Sequence, residues 1–154
     1  MHNDTHRPGA LRSTARIAGH PIHPMLVPFP IACFVGTLLT DIAYWRTTDI
    51  MWANFSAWLL TAGLITGALA GIVGFIDFLG NRLVRAQAPA WPHMIGNVLA
   101  LVLSFFNVLV HSRDGWIAVV PTGLILSAVV VLILLVTGWL GGSLVYRHRV
   151  GVDH

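Results

Sequence analysis

Long apolar segments alternate with short polar ones along most of this chain. The apolar segments run from about residue 25 to 45, 52 to 79, 92 to 111 and 117 to 146. Each reaches the ~20 residues that an α-helix needs to cross the hydrocarbon core of a bilayer. Because little chain is left between them, they must satisfy their own backbone hydrogen bonds, as helices do. The pattern predicts an all-α, integral membrane four-helix bundle.

The polar stretches divide the chain into three parts. Residues 1–19 are predicted to form a polar tail, residues 20–148 the transmembrane domain, and residues 149–154 a second, short tail. No convincing repeat relates the two halves of the transmembrane domain in the sequence. The sequence therefore gives little support to a transporter built from inverted repeats.

The placement of arginine predicts the orientation in the membrane. The first tail carries three arginines, the middle link carries Arg82 and Arg85, and the C-terminal end carries Arg147 and Arg149. The other two links each hold one arginine beside one aspartate. Because positively charged loops stay on the cytoplasmic side, both termini are predicted to be cytoplasmic. The location that follows is the inner (cytoplasmic) membrane of a bacterial cell, crossed several times.

Composition agrees with this location and argues against several functions. Charged residues make up only 10% of the chain, against about 25% in soluble domains. The pI near 10.0 does not predict nucleic-acid binding, because the arginines lie between apolar segments rather than in one patch. They suit an anionic membrane surface instead. The serines show no nucleophile motif, so no catalytic residue is predicted.

The densest polar motif immediately precedes the first apolar segment. His20 and His23 are each followed by proline in the run Gly-His-Pro-Ile-His-Pro-Met, residues 19–25. A residue before proline is disfavoured in the α-helical region. We therefore predict a stiff, extended elbow that holds two imidazoles at the membrane surface. These histidines either bind a ligand or only form hydrogen bonds where the chain enters the membrane.

The second apolar segment carries glycines at helical spacing on one face, which lets helix backbones approach closely: Gly63, Gly67, Gly71 and Gly74. Asp77 lies at the cytoplasmic end of the same face, so it is predicted to point into the bundle. An ionisable side chain in that position needs a partner. The competing interpretation is a helix-end carboxylate paired with Arg82 or Arg85.

Two further histidines are predicted at the same membrane face. His93 follows Trp-Pro at the start of the third segment, and Asn97 lies one turn further on. Asn97 is favoured as a hydrogen-bonding group between helices. His148 follows the fourth segment and, taken alone, resembles a solvated tail residue. His111 lies at the other face, near Asp41.

Imidazoles gathered with a carboxylate point to a metal or haem centre. We expect a membrane-embedded redox protein that binds haem b, or else a single transition-metal ion, through His20, His23 and His93. A four-helix bundle supplies such ligands from facing helices. Neighbouring polar groups would orient the imidazoles: Asp77, Asn97 and His148.

Two other functions stay open at this point. An oligomeric ion- or proton-handling protein could use Asp77 and the histidines, although no ionisable residue lies clearly at mid-membrane. A small cofactor-free subunit that anchors or assembles a partner would use its polar residues only for packing and interface hydrogen bonds. The expected partners are the lipid bilayer, with a redox protein or a second copy as further candidates, and no nucleic acid.

Four pieces of the sequence, in this order, carry a resemblance to a known family. They are residues 19–27, the Gly-Phe-Ile-Asp of residues 74–77, His93 with Asn97, and Gly-Trp-Leu-Gly-Gly followed by Ser-Leu-Val-Tyr-Arg-His over residues 138–148. Over about residues 17–153 the chain resembles bacterial four-helix membrane proteins catalogued as domain of unknown function 2231.

The resemblance implies a fold rather than an activity. Some relatives look fused or adjacent to redox modules such as Rieske-type domains, which implies electron transfer by association only. This sequence departs from the family's pattern at two positions. Pro28 stands where a histidine is expected, and Arg149 stands where a glycine is expected. The first departure removes a third potential ligand from the elbow.

Overall fold

The computed structural model describes residues 13–18, 20–113, 119–148 and 150. Within them, four long helices and several short elements follow one another, and a turn at Val119–Gly123 leads into the last helix. The elements are β1 (Arg16–Ile17), β2 (His20–Pro21), α1 (Ile22–Leu26), α2 (Pro28–Thr47), α3 (Ile50–Gly80), α4 (Arg82–Arg85), α5 (Ala90–Ser112) and α6 (Leu124–Tyr146).

The four long helices confirm the predicted all-α membrane bundle. The spans that contain α2, α3, α5 and α6 are each long and apolar enough to cross a membrane. They overlap the four apolar segments of the sequence. The start of the fourth, predicted at residue 117, lies outside the described residues, and α6 itself begins at Leu124.

Short polar links determine where the helices end. Thr48 takes a left-handed conformation, with φ 54°, and stops α2. The next residue, Asp49, accepts a hydrogen bond from the backbone N–H of Met51 at 2.9 Å and so caps the start of α3. Asn81 caps α4 in the same way through the N–H of Leu83. These caps give tight connections between antiparallel neighbours.

The helices surround a common axis in the cyclic order α2, α3, α5, α6. Helix α2 packs against α3 and α6, and α5 packs against the same two helices. Helices α2 and α5 therefore face each other across the bundle. We call the end where α2 and α5 begin the histidine end, because His23 and His93 lie there, and the other end the Asp41 end.

The bundle has an apolar exterior and a partly polar interior. Large apolar side chains point outward, such as Trp58 and Trp139, which are 77% and 82% exposed. An apolar layer fills the middle of the interior: Phe34, Leu60, Ala100 and Val130. Small polar side chains are buried above and below it. Such a distribution is typical of a protein whose outer surface contacts lipid.

The two helix pairs, α2–α3 and α5–α6, bury equivalent positions. The buried residues of α2 and α5 form pairs whose residue numbers differ by 70: Pro30 and Ala100, Phe34 and Ser104, Thr37 and Asn107, Asp41 and His111. In α3 and in the turn with α6 the offset is 67: Ser56 and Gly123, Leu60 and Ser127, Gly63 and Val130, Ala70 and Thr137. The halves are thus related as a direct repeat, which the sequence conceals because these paired buried positions differ in residue type.

The segment before α2 differs from the predicted elbow. Residues 1–12 and 19 lie outside the described part of the chain. Within the described residues, β1 pairs antiparallel with β2. The extended conformation covers only His20–Pro21, because α1 begins at Ile22 and already contains His23. Helix formation is possible there since Pro24 falls in the first turn, where its missing N–H is not needed.

Candidate functional site

His23 reaches from α1 to the backbone of α3. Its Nδ1 atom lies 2.8 Å from the carbonyl oxygen of Ala70. A carbonyl oxygen only accepts, so Nδ1 carries the proton and Nε2 of the neutral ring carries a lone pair. The ring rests on Gly74, where an added Cβ would stand 2.8 Å from Cε1 of the imidazole. Glycine at position 74 therefore makes room for the ring.

His93, in the first turn of α5, is held by α6 in the same manner. Its Nδ1 atom lies 2.8 Å from the carbonyl oxygen of Thr137 and donates to it. A Cβ added to Gly141 would stand 2.9 Å from Cε1 of this imidazole. The Nε2 atom of His93 is again the one left with a lone pair in the neutral ring.

The two imidazoles lie side by side at the histidine end. Their ring centroids are 6.3 Å apart and their planes are perpendicular. Two elements from opposite corners of the bundle, α1 and α5, thus bring together two fixed imidazoles with the same tautomer. A hydrogen bond from Nδ1 to a backbone carbonyl is the usual support of a histidine that binds metal through Nε2.

His20 does not join this pair. It lies on β2, opposite Ile17, and is exposed. Within the described residues, no group of three or more His, Cys, Asp or Glu side chains could hold a metal ion. Of the three ligands expected from the sequence, the structure therefore brings together His23 and His93.

Asn97 connects α5 to α6 beside the imidazole of His93. Its Nδ2 atom donates to the carbonyl oxygen of His93 at 2.7 Å, and its Oδ1 atom accepts from Oγ1 of Thr137 at 3.3 Å. The same Nδ2 atom lies 3.4 Å from both ring nitrogens. Asn97 thus makes the hydrogen bond between helices that its sequence position favoured, and it also restricts the imidazole.

Asp77 holds the N-terminal segment rather than an imidazole. Its Oδ1 atom accepts from the backbone N–H groups of Thr14 and Ala15, at 2.6 and 2.7 Å. Its Oδ2 atom accepts from Oγ of Ser13 at 2.8 Å. Sequence reasoning looked for an arginine or a histidine as the partner. It missed this arrangement because the donors are mostly backbone groups, which no residue pattern marks.

His148 lies in the turn that follows α6 and is half-buried. Its backbone N–H donates to the carbonyl oxygen of Ser143, which closes the end of the helix. No side-chain contact described for this part of the chain links it to His23 or His93. Its expected role around the ligands remains a prediction.

The glycine face of α3 packs against both neighbouring helices. A Cβ on Gly63 would stand 2.8 Å from Cε1 of Phe34 on α2, and a Cβ on Gly67 would stand 2.8 Å from Cδ2 of Leu101 on α5. For Gly71 the nearest atom, Cδ1 of the same leucine, lies at 3.4 Å. These three glycines serve close helix packing, whereas Gly74 faces the imidazole of His23.

A second polar cluster, at the Asp41 end, was not predicted as a site. Nε2 of His111 lies 2.9 Å from Oδ1 of Asp41, and both side chains are almost completely buried. Ser127 and Asn107 complete the cluster. A signal for it exists in the sequence, because polar residues recur at intervals of three, four or seven positions along one face of α5: His93, Asn97, Ser104, Asn107 and His111.

Comparison with known proteins agrees with the fold and leaves the activity open. No curated protein and no solved structure matches the chain. The model of one family, described as a predicted membrane protein, DUF2231, matches residues 19–154, which is nearly the whole chain. The chain therefore belongs to this family of predicted membrane proteins.

Proposed function

We propose that the protein is a membrane-embedded redox protein in which His23 and His93 bind the iron of one haem b through their Nε2 atoms. The observation that carries the proposal is that the two imidazole rings have the same tautomer. In each, Nδ1 donates to a backbone carbonyl, so the lone pair of the neutral ring is on Nε2. Imidazole with this support is the usual axial ligand of haem b.

The number of imidazoles favours haem over a small ion. A structural or catalytic zinc-type site takes three or four protein ligands, whereas a haem iron bound by two histidines takes its other ligands from the porphyrin. The ring centroids of His23 and His93 lie 6.3 Å apart, close enough for the two rings to belong to one site.

The residues around the rings would keep the two ligands in place. Gly74 and Gly141 leave the space that the imidazoles occupy. Asn97 restricts the ring of His93 from the side. Asp77 fastens the N-terminal segment to the end of α3, close to Gly74 in sequence. When bound, the haem would supply one-electron transfer, and the chain would supply ligands, orientation and a largely dehydrated setting.

The proposal also predicts the membrane face at which electrons are exchanged. The histidine end carries Arg82 and Arg85 in the link between α3 and α5, which predicts that this end faces the cytoplasm. A redox partner protein would then dock from the cytoplasmic side of a bacterial inner membrane. A second copy of the chain is the other candidate partner.

The test is an absorption spectrum of the purified full-length protein, oxidised and then reduced with dithionite, with iron measured on the same sample. The cells should be supplied with a haem precursor, and the detergent should be mild enough to retain haem. We expect a Soret band, sharp α and β bands on reduction, and about one iron per chain. A colourless protein free of metal would contradict the proposal and favour a cofactor-free anchor or assembly subunit.

Histidine variants identify the ligands. His23→Ala and His93→Ala should each lose the reduced α and β bands, because each removes one axial ligand. His20→Ala and His148→Ala are the matched controls and should keep the spectrum. If the protein has no Soret band but holds a stoichiometric metal that His20→Ala removes, a small-ion site built on the elbow would replace the haem site.

A further inference from the structure

Four polar side chains form a closed hydrogen-bonded cluster inside the Asp41 end. Ser127 Oγ donates to Oδ2 of Asp41 at 2.6 Å, and Nδ2 of Asn107 donates to Oγ of Ser127 at 2.8 Å. His111 contributes Nε2, 2.9 Å from Oδ1 of Asp41, and Nδ1, 3.0 Å from the carbonyl oxygen of Asn107. The cluster joins α2, α5 and α6. It takes no part in the proposed haem site.

The proton positions in this cluster follow from the donors and acceptors. Nδ1 of His111 faces a carbonyl oxygen, which only accepts, so this nitrogen carries a proton. The other nitrogen faces a carboxylate oxygen of Asp41. One proton must therefore lie between Nε2 and Oδ1, whichever of the two atoms carries it. With that proton, His111 and Asp41 together are neutral. Without it, the lone pair of Nε2 faces the charged carboxylate of Asp41.

Unsatisfied acceptors lie next to the cluster. Oδ1 of Asn107 and Oγ of Ser104 are buried and have no hydrogen-bond partner among the described residues. The two residues are one turn apart on the inner face of α5. Buried polar atoms of this kind are normally satisfied by an internal water molecule. A water molecule there would solvate the cluster from the side of the apolar layer.

We propose that Asp41 and His111 form a proton-binding site in the membrane interior, which takes up and releases one proton from the Asp41 end. The apolar layer of Phe34, Leu60, Ala100 and Val130 separates it from the histidine end. The pair is net neutral when loaded and carries one negative charge when empty. An uncompensated charge in this position is costly, so the empty pair needs the support of Ser127 and of water at the unsatisfied atoms of Asn107 and Ser104.

Few other groups compete for this proton. The portions of α3 and α6 packed around the pair carry hydroxyl groups but no titratable side chain between residues 50 and 76 or between residues 119 and 145. On α2 the nearest titratable group is Tyr44, one turn beyond Asp41. Among the described residues, the charged side chains of this end are exposed to solvent: Arg46, Asp49 and Arg113.

The test counts protons. Full-length protein in phosphatidylcholine nanodiscs, where both membrane faces are open to the solution, is subjected to a pH jump from acid to alkaline, and release is followed with a pH-indicating dye. We expect the wild type to release about one proton per chain more than Asp41→Asn does. Asparagine keeps the shape and the hydrogen bonds, because its amide can donate to Nε2 and accept from Ser127, so this variant should stay folded. Circular dichroism before and after the jump checks that it does.

Two further results decide the assignment. Nitrogen NMR of histidine-labelled protein should show the signal of His111, identified by its loss in His111→Gln, changing across the pH jump in the wild type and staying constant in Asp41→Asn. Ser112→Ala, an exposed neighbour, should behave as the wild type. Equal proton counts for wild type and Asp41→Asn, or a His111 signal that never changes while the protein is folded, would overturn the proposal.

Discussion

The imidazole of His93 repeats, on α6, the contacts that the imidazole of His23 makes on α3. The histidines are 70 positions apart in the chain, and their carbonyl acceptors, Ala70 and Thr137, are 67 apart. The glycines beneath the two rings are also 67 apart. These offsets are the ones that relate the buried positions of the two helix pairs. The two rings therefore lie at equivalent sites of a direct repeat, and each half contributes one.

This equivalence makes the glycines beneath the rings sensitive positions. In Gly74→Ala and Gly141→Ala the new methyl group would stand 2.8 and 2.9 Å from Cε1 of the respective imidazole. Such contacts force the ring to move away from the position in which it binds the iron. Loss of the groups that orient a metal-binding histidine typically lowers metal affinity 10–100-fold. We expect each variant to retain about a tenth or less of the haem of the wild type, measured by the reduced α band per mole of protein.

Gly138→Ala is the matched control for this effect. It lies on the same helix as Gly141, and a Cβ added there meets no atom within 4 Å. It should keep the wild-type spectrum. If all three variants lose haem to the same degree, general destabilisation explains the loss and the steric argument is wrong.

Helix packing in the middle of the bundle gives a second prediction. A Cβ on Gly63 would meet Cε1 of Phe34 at 2.8 Å and Cβ of Cys33 at 3.0 Å. Because the Cβ atom of Cys33 is bonded directly to the main chain, it cannot move by a change of rotamer, and α2 and α3 must separate. Overpacking of this kind costs about 1–3 kcal/mol. Gly63→Ala should lower the free energy of unfolding by that amount in a denaturant titration in mixed micelles.

Gly71→Ala serves as the comparison for this variant. Its nearest contact, Cδ1 of Leu101 at 3.4 Å, is an ordinary van der Waals distance at the end of a flexible side chain. The free energy of unfolding should change by less than about 1 kcal/mol. Equal losses of the free energy of unfolding in Gly63→Ala and Gly71→Ala would contradict this prediction. They would show that the glycine face of α3 responds to an added methyl group in the same way at both positions, whatever the contacts there.

Sequence patterns were sufficient for the bundle but not for the partners of its polar groups. Four apolar segments of spanning length determine the helices, because a lipid environment allows few alternatives. The glycine spacing predicted a packing face on α3, where Gly63 and Gly67 lie against Phe34 and Leu101. The repeat went unnoticed, since Asp41 corresponds to His111 and Thr37 to Asn107, pairs that share burial but not residue type.

The candidate site also contains hydrogen-bond partners that the sequence does not indicate. The sequence placed His23 and His93 at one end of the bundle, but it could not indicate that their ring nitrogens bond to the carbonyls of Ala70 and Thr137. Backbone acceptors are present at every residue and leave no mark in the sequence. The same reason hid the partners of Asp77. Partner choice depends on helix rotation and on the turn of α1, which only the packed structure determines.

Asp77 gives a third prediction, on local order. Asp77→Asn keeps the shape of the side chain but removes the charge that two backbone N–H groups contact. These hydrogen bonds are partly buried or exposed, and a hydrogen bond to a charged group contributes about 1.5–3 kcal/mol. Hydrogen exchange at the amides of Thr14 and Ala15 should become at least tenfold faster, measured by mass spectrometry of the N-terminal peptide.

Asp49→Asn is the control for this measurement. It also removes one carboxylate from a capping position, where Asp49 accepts from the N–H of Met51, but at the Asp41 end. Exchange at Thr14 and Ala15 should not change. Unaltered exchange in Asp77→Asn as well would mean that the strand pairing of β1 with β2, rather than the carboxylate, holds the segment.

The orientation in the membrane is the last prediction. Arg82 and Arg85 lie at the histidine end, which should therefore face the cytoplasm. In a Cys33→Ser background, single cysteines at two exposed positions, Ala88→Cys and Ser112→Cys, report on the histidine end and the Asp41 end. A membrane-impermeant maleimide added to spheroplasts should label the second variant at once and the first only after lysis. The opposite result would place the imidazole pair on the outer side, and the redox partner of the proposed haem would then have to be sought outside the cytoplasm.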